Sequence, residues 1–484
     1  MNRDIVSGIV LLTVFGLTIT PSINAGIISI SSEKSEEIDE PVLLSEENKV
    51  DLVILCPSEF AKTLEPLVKH KKSMGVKTKL NTLYEINIVG EKGYDAAEKV
   101  KYFIKAAYDQ LGVKYVLLVG GYNKFPVRYI YNYDDWLGYP EPAIISDLYY
   151  ADLYDDSDVF QTWDTNDNHV YGEWMSDFGA EDYNIDLRPD VYVGRLACSN
   201  KFEVRTMVQK IINYETKTYG SEWFNRVLAI SGDTYPNKQP AIEGEENADK
   251  VIENMTGFQN TTLYTSDGTL KGPLDVIKAF NQGYGFVFFE GHANPKGWST
   301  HKPNDGEWIS GISTSTIPLL LNGNKMPIVI SGACHDGQFD VNFGNLIQGF
   351  LKDGLHYFNK NGGFFYHYTW IPECWTWKLT RKIGGGAIAT IANTGLGMTK
   401  EDKESGEGAG DVMSPQFFLE YQKGIDILGE VWGASICSYL DQFPIDWNTS
   451  AAWDYAYDAK TVQQWILFGD PSLKIGGYDM STIK

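Results

Sequence analysis

Lys325-Met326-Pro327-Ile328-Val329-Ile330-Ser331-Gly332-Ala333-Cys334-His335-Asp336-Gly337 is the stretch from which the rest of the chain is read. An apolar run of strand length ends in small residues and then in a cysteine. A thiol so placed sits where a buried strand surfaces at the edge of a sheet, and α/β sheets carry their chemistry at that edge.

A second stretch has the same shape. Gly285-Phe286-Val287-Phe288-Phe289-Glu290-Gly291-His292-Ala293-Asn294 is a short aromatic run that delivers a histidine at its carboxyl end. Parallel neighbouring strands lie about 4.8 Å apart, so a thiol and an imidazole at their ends would face one cleft. The 42 residues between His292 and Cys334 leave room for a crossover. A thiolate is the attacking species in thiol chemistry, and a nearby base activates it. His335 is a poor base for Cys334, because adjacent side chains on extended backbone point to opposite faces. The backbone N–H groups of Cys334 and Ala293 are candidates for an oxyanion hole, a feature worth about 3 kcal/mol per donor.

The remaining chain supports an α/β reading. Val50–Cys56, Val76–Leu83 and Tyr115–Gly121 read as strands, alternating with helical spacing over Glu59–Met74 and Tyr94–Leu111. A helix over Phe202–Lys217 leads into a second alternating half. There Arg226–Ser231, Phe258–Tyr264, Gly285–Phe289, Met326–Ser331 and Gly386–Ile391 read as strands, with helices over Glu243–Met255, Pro273–Gln282, Ser315–Leu321 and Glu373–Lys382. Such alternation implies a mostly parallel sheet covered by helices. Between the halves, residues 122–190 are rich in aromatics and acids. Asp164, Asn166 and Asn168 could supply oxygen ligands for a structural calcium. The EF-hand pattern fails, because His169 stands where the turn glycine belongs and Met175 where the bidentate Glu belongs; a solvated acidic loop is the other reading.

A chain of 484 residues exceeds one ordinary core. Its formal net charge of -23 argues against a nucleic-acid partner and favours cationic substrates. Residues 1–25 read as an export signal, with Arg3, the apolar Ile5–Ile19 and a small-residue site at Pro21–Ala25. An uncleaved anchor is the alternative, and contact with a membrane follows only in that case. Residues 26–49 read as an acidic linker or short propeptide. Five cysteines in an exported chain leave at least one unpaired and allow up to two disulfides. Cys56, Cys198, Cys374 and Cys437 lie in apolar surroundings suited to buried thiols, and Cys334 is the reactive candidate.

The segment Ser331–Phe339, SGACHDGQF, resembles the nucleophile motif of the gingipain-type cysteine peptidases, and Gly291-His292 resembles their histidine motif. Asp190–Leu196, Asn213-Tyr214-Glu215, Gly386–Ile391 and Phe468–Leu473 are similar to further landmarks of that family, in the same order, so that the likeness runs over about residues 50–476. The resemblance implies a caspase-like α/β/α sandwich of two adjacent subdomains, here 50–222 and a catalytic 223–476, followed by a tail at 477–484. It implies an exported cysteine endopeptidase acting on proteins or peptides, with no cofactor needed for the chemistry. Asp233 would then assist His292, with a turn or helix-cap aspartate as the other reading, and Glu290 is the alternative orienting acid. Glu245 would line a pocket selecting Arg or Lys before the cut, with a helix first-turn acid as the other reading, and Trp298 would wall that pocket or pack in the core. A transpeptidase or ligase using the same site, and a non-catalytic surface binding protein retaining the fold, are the rival functions.

Overall fold

The computed structural model describes residues 49–482 apart from 90–91, 133–140, 142, 237–241, 342–346, 348–349, 352–353, 355–370, 399–407 and 453. The expected export signal, residues 26–48 of the linker and the last two residues of the tail lie outside the described residues.

Local sequence explains most elements. Strand β1 (Leu52–Cys56) is an unbroken apolar run, buried throughout, as a strand covered on both faces requires. It is followed by the helix Ser58–Ser73, β2 (Thr78–Thr82), the helix Ala96–Leu111 and β3 (Tyr115–Val119). The helix Ala96–Leu111 starts where the Asp95 side chain accepts the Glu98 N–H, and stops at Gly112, whose φ of 65° suits glycine. Two short strands, β4 (Tyr129–Ile130) and β5 (Ile144–Ile145), pair with each other before β6 (Tyr192–Leu196) and the helix Lys201–Lys217.

The second half contributes β7 (Arg226–Ser231), β8 (Gln259–Tyr264) and β9 (Phe286–Phe289), with the helices Glu243–Asn254 and Pro273–Phe280 between them. An antiparallel three-stranded sheet of β10 (His292–Asn294), β11 (Gly297–Lys302) and β12 (Asp305–Ser313) then projects before β13 (Ile328–Ser331). After β14 (Ala389–Asn393), the helices Gly410–Gln422, Leu428–Gln442 and Asp454–Gln463 lead to β15 (Trp465–Phe468). The helix expected over Ser315–Leu321 is a single 3-10 turn, Ile317–Leu319, bounded closely by Asn322-Gly323.

Ten strands form one sheet in the order β2-β1-β3-β6-β15-β14-β13-β9-β7-β8. All its neighbours run parallel except β14 and β15. Both halves of the chain therefore feed a continuous sheet, and the seam between them is β15, the last strand in sequence. Close backbone approach makes the seam possible: a Cβ on Gly194 would lie 2.5 Å from the Gly469 carbonyl oxygen. Beside it, the buried Arg195 guanidinium grips both Asp147 oxygens, at 2.6 and 2.7 Å, and donates to the Gly120 carbonyl at 3.1 Å. Lys71 Nζ meets Glu215 at 2.7 Å and Asp470 at 2.8 Å, tying two helices of the first half to the turn after β15.

All five cysteines are free, so neither of the two disulfides allowed by the count forms. Cys56, Cys198 and Cys374 are buried. Among the described residues, no helix is long and apolar enough to cross a membrane.

Candidate active site

The site follows from the register of β9 and β13. Ser331 lies opposite Phe289 on the last rung, and Cys334 and His292 each come three residues later. The ladder thus delivers both groups to the same edge of the sheet, and the Gly332 N–H extends it by donating to the Phe289 carbonyl at 3.1 Å. Gly291 turns the chain towards β10 with a φ of 148°, where a Cβ would press on the Trp298 ring at 3.1 Å. Beyond Cys334 a tight turn is fastened to the end of β14. The His335 and Gly337 N–H groups donate to the Gly395 and Asn393 carbonyls at 2.8 and 2.7 Å, and Asn393 Nδ2 donates to the Ala333 carbonyl at 3.1 Å.

Cys334 keeps part of its surface exposed. Among the described residues its Sγ has one hydrogen-bond partner, the Gly397 carbonyl at 3.8 Å. Burial pushes the thiol up to about 12, helped by the nearby Asp336 and Glu141 charges and opposed by Gly397 and Lys460. The His292 ring nitrogen Nε2 lies 2.8 Å from the Thr234 carbonyl oxygen. A carbonyl only accepts, so Nε2 carries the hydrogen and Nδ1 keeps its lone pair. Burial also holds the imidazole below its ordinary value, with His301 adding to the effect and Thr234 opposing it. At neutral pH the pair is therefore an uncharged thiol and an uncharged imidazole, and no hydrogen bond joins them among the described residues. The Cys334 N–H has no acceptor among the described residues. Ala293 sits in an edge strand without the positive φ that would demand glycine. His335 is buried and turns its Nδ1 towards Glu141 at 3.5 Å, away from the role of base.

Four side chains expected around the pair make other contacts. The buried Asp233 carboxylate accepts the Asn304 N–H at 2.8 Å, while Asp233 and His301 exchange backbone hydrogen bonds at 3.1 and 3.2 Å. The partner of His292 is thus the carbonyl of the following residue, and Asp233 anchors the β11–β12 hairpin. Asp233→Asn is expected to leave the His292 titration in place when followed by NMR; a carboxylate in contact with the ring would instead move it by about 1–3 units. Glu290 is buried against Ser414 at 3.2 Å and under Gly332, and burial, with Asp411 nearby, raises its carboxyl well above the usual range. Glu245 is 6% exposed, and its oxygens accept the Ser266 N–H and hydroxyl and the Thr265 hydroxyl. Trp298 is 1% exposed and packs on Phe289, which makes it core rather than pocket wall.

The residues that flank the imidazole were not singled out from sequence. Trp308 lies 5.2 Å from the His292 ring and 3.8 Å from the His301 ring, and Tyr235 meets His292 edge-on at 5.9 Å. The available signal was the hairpin turn Lys302-Pro303-Asn304-Asp305-Gly306, which brings Trp308 back opposite His301.

Far along the chain, the loop considered for calcium spends its oxygens on its own backbone. Asp164 accepts the Asn168 and His169 N–H groups at 3.0 Å each, Asn166 Oδ1 accepts the Asn168 N–H at 3.0 Å, and Asn168 Oδ1 accepts the Val170 N–H at 2.7 Å. The side chains whose ligand atoms gather within 4.8 Å are Asp164, Asp167 and His169, a different set from the one the spacing suggested.

The family model for Peptidase family C25 matches residues 45–476. The chain is 24% identical over 314 residues to gingipain R2 of Porphyromonas gingivalis, a match that covers 63% of this chain and 35% of that protein. It thus spans about a third of that relative's length. An uncharacterized protein of Archaeoglobus fulgidus is 24% identical over 349 residues, covering 69% of this chain and 76% of that one. The crystal structure of the Arg specific cysteine proteinase gingipain R superposes with a TM-score of 0.60 at 18% identity, over 90% of this chain and 79% of that one, which establishes the caspase-like α/β fold. The chain belongs to Peptidase family C25.

Proposed function

We propose that the chain is an exported cysteine endopeptidase with Cys334 as nucleophile and His292 as its acid and base. The observation that carries this reading is the β9–β13 register, which brings a thiol and an imidazole of defined tautomer to one sheet edge. Membership of a peptidase family supports it.

The uncharged resting pair sets the order of events. As Sγ attacks the peptide carbonyl, its proton passes to Nδ1 of His292, so attack and deprotonation are coupled and no ion pair is stored beforehand. The Cys334 N–H, with that of Ala293, would receive the oxyanion. Collapse breaks the C–N bond, and the imidazolium gives its proton to the departing amine. Water, deprotonated by the same Nδ1, then hydrolyses the thioester and restores the thiol. The chemistry at Cys334 and His292 does not itself require Arg or Lys before the cut, whose selection would fall to other groups such as Glu245.

The test is to incubate the protein with unrelated unfolded proteins, with and without iodoacetamide, and to sequence every new terminus. New termini that vanish after alkylation are the expected result. Cleavage indifferent to alkylation, or no cleavage by the untreated protein, overturns the proposal.

A further inference from the structure

We propose that Trp308 is the platform for the substrate side chain immediately after the cut bond, and that it selects residues with a flat face, aromatic or arginine. The inference rests on the peptidase reading and adds to it a specificity on the leaving-group side.

Trp308 is 56% exposed, an unusual position for the largest apolar side chain. Its hairpin neighbours Ile309 and Ile312 are buried, so the hairpin has a core face and Trp308 is not part of it. One side of the indole is covered by His301, which sits directly opposite it across the β11–β12 ladder, with ring centroids 3.8 Å apart. The His292 imidazole abuts it at 5.2 Å and 69°. The exposed remainder of the ring is therefore continuous with the flank of the proposed acid.

The platform is also held still. Asp233, at the carboxyl end of β7, exchanges two backbone hydrogen bonds with His301 and accepts the Asn304 N–H, and the Thr265 hydroxyl donates to the His301 carbonyl at 2.9 Å. Because β7 is the sheet neighbour of β9, these contacts fix the hairpin relative to His292. A wall fixed before substrate arrives loses little ordering entropy on binding.

Reaction chemistry then identifies the occupant. The imidazole protonates the departing amine, so the residue bearing that amine passes the His292 side of the cleft. Its side chain meets the surface beside the imidazole, where Trp308 offers the more exposed ring and Tyr235 the other. An indole face holds aromatic rings by stacking and guanidinium by cation–π attraction. The net charge of -23 on the chain favours the latter; on the hairpin itself Glu307 is paired with Lys302.

The experiment compares the unaltered protein with Trp308→Ala and Trp308→Phe on substrates built from a cut site found by terminus sequencing. One series keeps every residue up to the bond and places Phe, Arg or Ala after it; a matched methyl ester replaces the leaving peptide by methanol. For Trp308→Ala, kcat/KM is expected to fall about tenfold on the Phe and Arg peptides, as loss of one such ring contact implies. The Ala peptide and the ester should change by less than about twofold, since neither offers a flat side chain to the indole. Trp308→Phe should recover most of the loss. Equal loss on peptides and ester would make Trp308 a support for His292 and overturn the platform, as would no loss on any substrate. Failure of the unaltered protein to cleave any of them overturns the peptidase reading itself.

Discussion

Cys334→Ala is expected to lower the cleavage rate by at least about 10⁴-fold while the protein folds as before. Removal of the nucleophile in a thiol or serine hydrolase leaves only what the oxyanion donors and substrate binding supply, and its cost is of that order or larger. The structural cost should be small. Among the described residues the thiol has one weak partner, the Gly397 carbonyl at 3.8 Å, and the turn is held by backbone bonds of His335 and Gly337 that alanine leaves untouched. The unfolding free energy should therefore change by no more than about 1 kcal/mol. Activity measured on one unfolded protein, beside a denaturation curve, checks both halves. Activity retained within tenfold would remove Cys334 from the chemistry, and lost activity with a collapsed denaturation midpoint would make the residue structural.

Lys71→Met should be the most damaging change to stability, at about 3–5 kcal/mol. Lys71 is fully buried between Glu215 and Asp470, and His70 reaches the other Glu215 oxygen at 2.7 Å. Taking away the ammonium leaves two buried carboxylates without the cation between them. Glu215 carries a pH signature of the same network. Burial pushes its carboxyl up, yet Lys71 and His70 outweigh burial and hold it below its ordinary value. A depressed folded-state value stabilises the fold above the unfolded value near about 4.3, and the contribution disappears as pH falls through the folded one. Urea unfolding at neutral and acidic pH measures both effects, and a loss under about 1 kcal/mol for Lys71→Met at neutral pH would mean the site is hydrated or free to rearrange. The network also gives a physical reason for two of the sequence landmarks: Glu215 and Asp470, far apart in the chain, meet on one ammonium and help hold β15 at the seam of the sheet.

The strands and the two ends that carry chemistry were legible because their signals are local. Arg226–Ser231 was read to the residue, and the runs ending at Phe289 and Ser331 stop where expected, since unbroken apolar runs closed by small residues have few other uses. Three C-terminal helices and β15 were not read. The helix Gly410–Gln422 has a Pro inside it, and it packs apolar residues over more than one face, so no helical stripe stands out. The groups packed around Cys334 and His292 were illegible for a different reason. Whether the Asp233 carboxylate or the Thr234 carbonyl meets His292 turns on a single residue of register, and the bridge between Asp233 and His301 decides it. The irregularities at Gly297/Ser299 and His301/Lys302 break the alternation of the hairpin, so spacing cannot tell that Trp298 points inward and Trp308 outward. By itself, then, the sequence determined a parallel α/β sheet and the positions of Cys334 and His292, because strand length and strand ends are written in neighbouring residues. Tertiary structure alone decided what surrounds them: the Thr234 carbonyl on Nε2, the engaged Glu245 and the exposed Trp308 all depend on contacts between segments whose relative register no single stretch encodes.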